Sequence, residues 1–174
     1  MSYEIPLVFA LLAPALMAGS FRLVDLVETQ RGLWFVLVPG VGQLSFLVFL
    51  VSVLAEANKS PLDVVEAESE LIAGYNTEYS GIKFALFYAG EYAHTLALCA
   101  LGATVFLGGY LGPGLLPGVV WLLLKALALF VLVLWVRWSF LRVRIDQAMR
   151  LNWRLLFPVA LVNLVVAAFF AVRS

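Results

Sequence analysis

The eleven acidic and eleven basic side chains of this 174-residue chain are unevenly placed. Between Asp63 and Glu78 lie five carboxylates (Asp63, Glu66, Glu68, Glu70, Glu78) and no basic residue; Lys59 and Lys83 flank them, with Glu56 and Glu91 further out. Carboxylates so close together titrate as a coupled set, and each raises the proton affinity of its neighbours. Glu91 stands eight residues after Lys83 in an otherwise apolar run, about 12 Å along a helix. An ionised carboxylate at that depth in hydrocarbon costs several kcal/mol, so it must take up a proton or face a wet or polar interior. Two readings follow for Glu91: a neutral acid hydrogen-bonded to a neighbouring helix, or a member of a proton or ion path. His94 at i+3 lies on roughly the same helix face and could share its proton. With Glu4 and Glu56, these groups form a row of titratable side chains leading from an acidic loop into an apolar interior, as a proton path requires.

The loop has helix signals of its own. Ser60-Pro61-Leu62-Asp63 reads as a capping serine, a first-turn proline and a first-turn carboxylate, and Gly74 supplies a stop. Leu62, Val65, Ser69 and Ile72 fall on one stripe, and Asp63, Glu66 and Glu70 on another. The plain reading is a solvated acidic helix on the membrane surface. An anionic leaflet repels such a face, which favours a helix turned toward protein or a water-filled cavity.

The elements that must position these residues are membrane spans. The chain is 64% hydrophobic and 13% charged, against about 45–50% and about 25% in soluble domains. A water-soluble fold cannot hide that much apolar surface, and no basic stripe suggests nucleic acid. Cys99 is the single cysteine, so neither a disulfide frame nor a Cys-based metal or iron–sulfur site is expected. With Glu4 rather than Lys or Arg before the first apolar run, no cleaved signal peptide is expected. Five stretches approach the roughly 20 residues needed to cross a bilayer: residues 5–20, 33–54, 83–107, 119–138 and 155–172. The expected fold is an all-α polytopic membrane protein of one domain, with an acidic loop at 55–82 and a basic loop at 139–154. Pro14 predicts a kink in the first span, and the glycine-rich segment 108–118 a tight surface turn. Trp34, Trp121, Trp138 and Trp153 stand near span ends, as an interfacial belt requires. Lys125, six residues into its span, either snorkels to the interface or pairs with a buried carboxylate. Lys59, Lys83, Arg137, Arg142, Arg144, Arg150 and Arg154 gather at the two large loops, against Arg22, Arg31 and Arg173 at the other side. The positive-inside rule puts both loops and the N-terminus in the cytoplasm.

Residues 55–81, AEANKSPLDVVEAESELIAGYNTEYSG, closely resemble the signature loop of the H subunit (the ND1-type subunit) of the proton-pumping NADH:quinone oxidoreductase, respiratory complex I. Ser2-Tyr3-Glu4 resembles the family's Ser-Tyr-Glu helix start, and Phe106-Leu107-Gly108-Gly109 its Phe-Leu-Gly-Gly turn. Trp135-Val136-Arg137, followed by Arg142, Arg144, Asp146 and Gln147, is similar to its Trp-Val-Arg and Arg-x-Asp-Gln segment. The resemblance implies a component of the bacterial inner membrane that contributes to a quinone chamber and couples quinone reduction to proton translocation. It implies proton-coupling roles for Glu4, Glu56, Glu66, Glu68, Glu70, Glu78 and Glu91. Lys59, Asp63, Arg142, Arg144 and Asp146 would line the chamber, with ubiquinone or menaquinone as substrate and no covalent cofactor. Electrons would come from an iron–sulfur cluster in a partner subunit of the peripheral arm, and small membrane-arm subunits would be further partners. Lys59 stands where the family usually has arginine, and Leu62 where it usually has phenylalanine. The family's earlier helices are absent, so the chain is expected to be a fragment, a split subunit whose N-terminal half is a separate partner, or a trimmed chain. The alternatives are the membrane anchor of a related [NiFe] hydrogenase or ferredoxin-linked complex, and a structural anchor that has lost activity.

Overall fold

A computed structural model describes residues 3–62, 81–113, 117–141 and 143–173. The elements are α1 (Glu4–Ala18), α2 (Leu23–Thr29), a short 3-10 turn (Phe35–Leu37), α3 (Val41–Glu56), α4 (Ile82–Phe106), α5 (Gly118–Ser139), α6 (Ile145–Leu151), a π-turn (Asn152–Leu156) and α7 (Phe157–Arg173). Among the described residues no strand occurs, and the chain is an all-α polytopic membrane protein. Three helical paths are long and apolar enough to cross a bilayer: α4, α5, and Ile145–Val172 running from α6 into α7. The α1–α2 pair makes a fourth if its two arms, bent by 64°, are one span.

Two of the expected spans are built differently from a plain helix. α1 runs through the buried Pro14 and ends at Gly19, whose left-handed φ of 67° lets its N–H reach the Leu16 carbonyl. The 64° change of direction comes at this glycine break, before α2. The uncharged stretch 33–54 becomes α-helical only at Val41. Pro39 holds Val38 in an extended conformation (ψ 115°), and Gly40 sits at φ 83°, so the helix cannot start earlier. α3 therefore has 16 residues, about 24 Å, short of the roughly 30 Å hydrocarbon thickness. At the other end of the chain, residues expected in a basic loop are largely helical. The Gln147 side chain accepts the Arg144 N–H at 3.4 Å and Asp146 complements the first turn, so α6 starts at Ile145.

α1 packs against both α3 and α7, and α4 lies along α5. Between these pairs sits a ring cluster: Phe106 meets Phe46 at 5.4 Å and Phe49 at 5.2 Å between centroids. Gly102 faces the Phe49 ring so closely that a Cβ there would overlap it, the close helix approach that small residues permit in membranes. The outer faces carry exposed apolar side chains such as Leu127, Val131, Val162 and Phe169, as a lipid-facing surface does.

Buried amides hold the irregular segments. Gln30, 1% exposed, donates to the Leu26, Thr104 and Val105 carbonyls and accepts the Phe35 N–H at 3.3 Å. It thereby joins α2, the C-terminal turn of α4 and the non-helical stretch before α3. Asn163 of α7 donates to the Val41 carbonyl at 3.1 Å and the Ser45 hydroxyl at 2.6 Å, joining α7 to the first turn of α3. Asn163→Leu should leave that carbonyl and hydroxyl without this donor and lower stability by about 1 kcal/mol, with about 1.7 kcal/mol as the upper end for such bonds in membranes. Reversible unfolding in mixed detergent micelles would measure it, and an unchanged midpoint would contradict the bracing role.

Candidate functional site

One of the two buried lysines among the described residues lies where α3 ends. Glu56 closes α3, and Asn58 takes a left-handed conformation (φ 48°), one of the few non-glycine residues that adopt it readily. This turn lets the Lys59 N–H reach back to the Leu54 carbonyl at 3.1 Å and sends the Lys59 side chain inward. Lys59 is 1% exposed, and its ammonium forms an ion pair with the Glu91 carboxylate of α4, which is 18% exposed. The same ammonium lies 4.7 Å from the centre of the Tyr92 ring. On the far side, Arg137 of α5 donates to the Tyr92 hydroxyl at 3.0 Å. A chain of contacts thus runs Glu91–Lys59–Tyr92–Arg137 across three elements. Pairing cancels two charges that would each be costly in an apolar surround, and the ring face adds a cation–π attraction.

Tyr92 and Arg137 also line an open groove of about 610 Å³ with Val131, Leu134, Trp135 and Trp138. Its walls are apolar and aromatic, and its polar groups are a guanidinium and a phenol. Tyr92 accepts from Arg137, which leaves the phenol proton available to an acceptor in the groove. Such a site suits an elongated apolar molecule with a carbonyl oxygen at its head.

The structure joins the two large loops at their roots. Val143 donates its N–H to the Pro61 carbonyl at 2.9 Å, and the Ser60 hydroxyl donates to the Phe140 carbonyl at 3.3 Å. Ser60, expected to cap a loop helix, thus ties the loops together; the helix itself lies outside the described residues, as do Asp63, Glu66, Glu68, Glu70, Glu78 and Arg142. Glu4 is exposed at the start of α1, Glu56 is half-buried, and Arg144 and Asp146 are exposed at the start of α6. His94 is exposed, and Glu91 pairs with Lys59, not with His94. Thr95, one turn on, donates its hydroxyl to the Glu91 carbonyl at 2.9 Å.

Lys125 follows neither reading of its sequence position. It is 9% exposed and donates to three backbone carbonyls, Leu107 at 2.6 Å, Gly109 at 3.1 Å and Leu111 at 2.6 Å, with the Trp34 ring centre at 4.7 Å. The glycine-rich turn expected at the surface therefore folds inward at Gly108 and Gly109, both buried. Sequence reasoning missed Tyr92 and the inward role of Arg137. The available signals were the adjacency of Tyr92 to Glu91 and the Trp-Val-Arg triplet.

Helices that cross a membrane, a buried ion pair at a loop root and an apolar groove beside it define an integral membrane protein with a charged interior site. Residues 1–168 match the profile of the NADH dehydrogenase family, and the chain belongs to that family. It is 47% identical over 168 residues to the NADH-quinone oxidoreductase H subunit of Dehalococcoides mccartyi, covering 97% of this chain and 46% of that protein. It is 46% identical over 171 residues to the H subunit of Anoxybacillus flavithermus, covering 96% and 50%. With the H subunit of Geobacillus kaustophilus it shares 45% identity over 170 residues, covering 96% and 50%. The chain spans about half the length of the curated relatives it matches. The resemblance carried by the acidic loop and its companion segments is thereby borne out.

Removing one partner of the buried pair should cost far more than removing both. Lys59→Met strands a carboxylate and should be less stable than Lys59→Met/Glu91→Gln by about 1–3 kcal/mol. A double-mutant cycle read by detergent unfolding measures the coupling, and a value near zero would mean that the pair contributes nothing.

Proposed function

We propose that this chain works as the membrane portion of an H subunit of NADH:quinone oxidoreductase, walling one side of the quinone chamber and coupling quinone reduction to proton movement. The observation that carries this reading is the contact chain from the groove to the half-buried carboxylate: Arg137 to Tyr92, Tyr92 to Lys59, Lys59 to Glu91. The names of the matched relatives favour a quinone over a hydrogenase partner.

A quinone becomes a quinol by taking two electrons and two protons. In this reading an iron–sulfur cluster of a peripheral-arm partner supplies the electrons, and this chain supplies recognition and charge response. Arg137 and Tyr92 donate to the head oxygen, and Trp135 and Trp138 pack on the apolar tail. Negative charge arriving at the head draws the Lys59 ammonium away from Glu91, and Glu91, losing its counter-ion, then takes a proton. Two protons drawn from the cytoplasmic side neutralise the reduced head as quinol; the Lys59–Glu91 pair then re-forms, and the separate proton on Glu91 moves on. Glu4, Glu56, Glu66, Glu68, Glu70 and Glu78 form the supply from the cytoplasmic side, and Asp63, Arg142, Arg144 and Asp146 complete the chamber mouth with Lys59. Both large loops face the cytoplasm of a bacterial inner membrane. The open side of the groove is closed by other components of the complex, among them the N-terminal half that the curated relatives carry.

Two substitutions in the assembled complex test separate parts of this. Glu91→Gln should lower the number of protons moved per quinone reduced, and a normal ratio would sink the coupling role. Arg137→Met should raise the KM for quinone by about 10- to 100-fold, the equivalent of one lost charge-assisted hydrogen bond, while NADH oxidation by artificial acceptors is spared. Equal loss of both activities would point to assembly instead.

A further inference from the structure

The coupling reading leaves unanswered why a proton on Glu91 does not continue along α4 to the opposite face. We propose, resting on that reading, that Lys125 is a fixed cation that closes the far end of this chain to protons. Beyond Glu91 the buried residues of α4 are Thr95, Cys99, Gly102, Ala103, Val105 and Phe106. The rings of Phe46, Phe49 and Phe106 fill the space beside them. Thr95 and Cys99 bring a hydroxyl and a thiol into this layer, and immediately beyond it stands the Lys125 ammonium.

The ammonium is matched donor for donor. Its three N–H bonds are matched by three carbonyl oxygens, those of Leu107, Gly109 and Leu111, and the Trp34 ring faces it at 4.7 Å. All four partners favour positive charge. The Leu107 carbonyl follows directly on the C-terminal end of α4, where the helix dipole is negative. Gly108 (φ 71°) and Gly109 (φ 46°) fold the turn so that the three carbonyls point at one spot. No carboxylate pairs with Lys125 among the described residues, so its charge is not cancelled. An ammonium that donates all three protons has no lone pair and cannot relay one. Its field in a low-dielectric surround repels an approaching hydronium, as fixed cations do in pores that exclude protons. Protons from Glu91 are thereby kept from leaking outward through this chain.

The test uses the assembled complex in liposomes, with passive proton uptake under an imposed potential measured without NADH. Lys125→Met should raise uptake by about tenfold or more, Lys125→Arg should stay tight, and quinone reduction with uncoupler present should persist in both. A Lys125→Met complex as tight as the parent overturns the proposal. If Lys125→Met does not assemble, Phe106→Ser wets the ring layer while keeping the ammonium. That complex should remain tight, and a leak would overturn the assignment of the barrier to Lys125. Adding Glu91→Gln to Lys125→Met separates the two readings: loss of the leak supports both, whereas a persisting leak leaves the barrier standing and removes Glu91 from the path.

Discussion

Charge in an apolar interior must be matched atom by atom, and this constraint organises the molecule. Two lysines are buried, and each is satisfied in a different way. Lys59 meets a carboxylate and a ring face; Lys125 meets three carbonyls and a ring face. The first arrangement has a side-chain carboxylate as its partner. The second has three backbone carbonyls and a ring around it. One end of the α4–α5 pair thus carries a side-chain ion pair and the other a backbone-held ammonium, although both rest on the same residue type.

The same constraint governs the backbone. The stretch before α3 is apolar and not helical, so its amide groups need partners that a helix would otherwise supply. Gln30 answers the Phe35 N–H, and Asn163 ties the first turn of α3 to α7 through the Val41 carbonyl. Irregular backbone at membrane depth is tolerated only when protein covers it, and Phe35 is indeed buried. The short α3 and the bent α1–α2 pair are therefore compatible with a membrane setting because two amide side chains brace the gaps between helices.

Much of this is legible in one dimension. The uncharged runs announce helices, the charge asymmetry groups two loops together, and the acidic loop carries a family resemblance that the relatives bear out. Helix starts are less legible. Pro39-Gly40 delays α3 and Gly19 turns the chain after α1, because local φ and ψ limits override hydropathy. Glu91 is recognisable as a group that cannot stand alone, but His94, its neighbour in sequence, is the wrong place to look for its partner.

Residue types along the chain determine that this protein lies in a membrane, that its charges are few and clustered, and that Glu91 needs a counterpart. That much follows from transfer free energies and helical periodicity, which act on neighbours in sequence. Only the tertiary structure decides who meets whom: Lys59 with Glu91 across 32 positions, and Lys125 with carbonyls 14 to 18 positions away. Such pairings are set by how helices cross and how turns such as Asn58 and Gly108–Gly109 aim the backbone. They are properties of three-dimensional packing that no local pattern of side chains encodes.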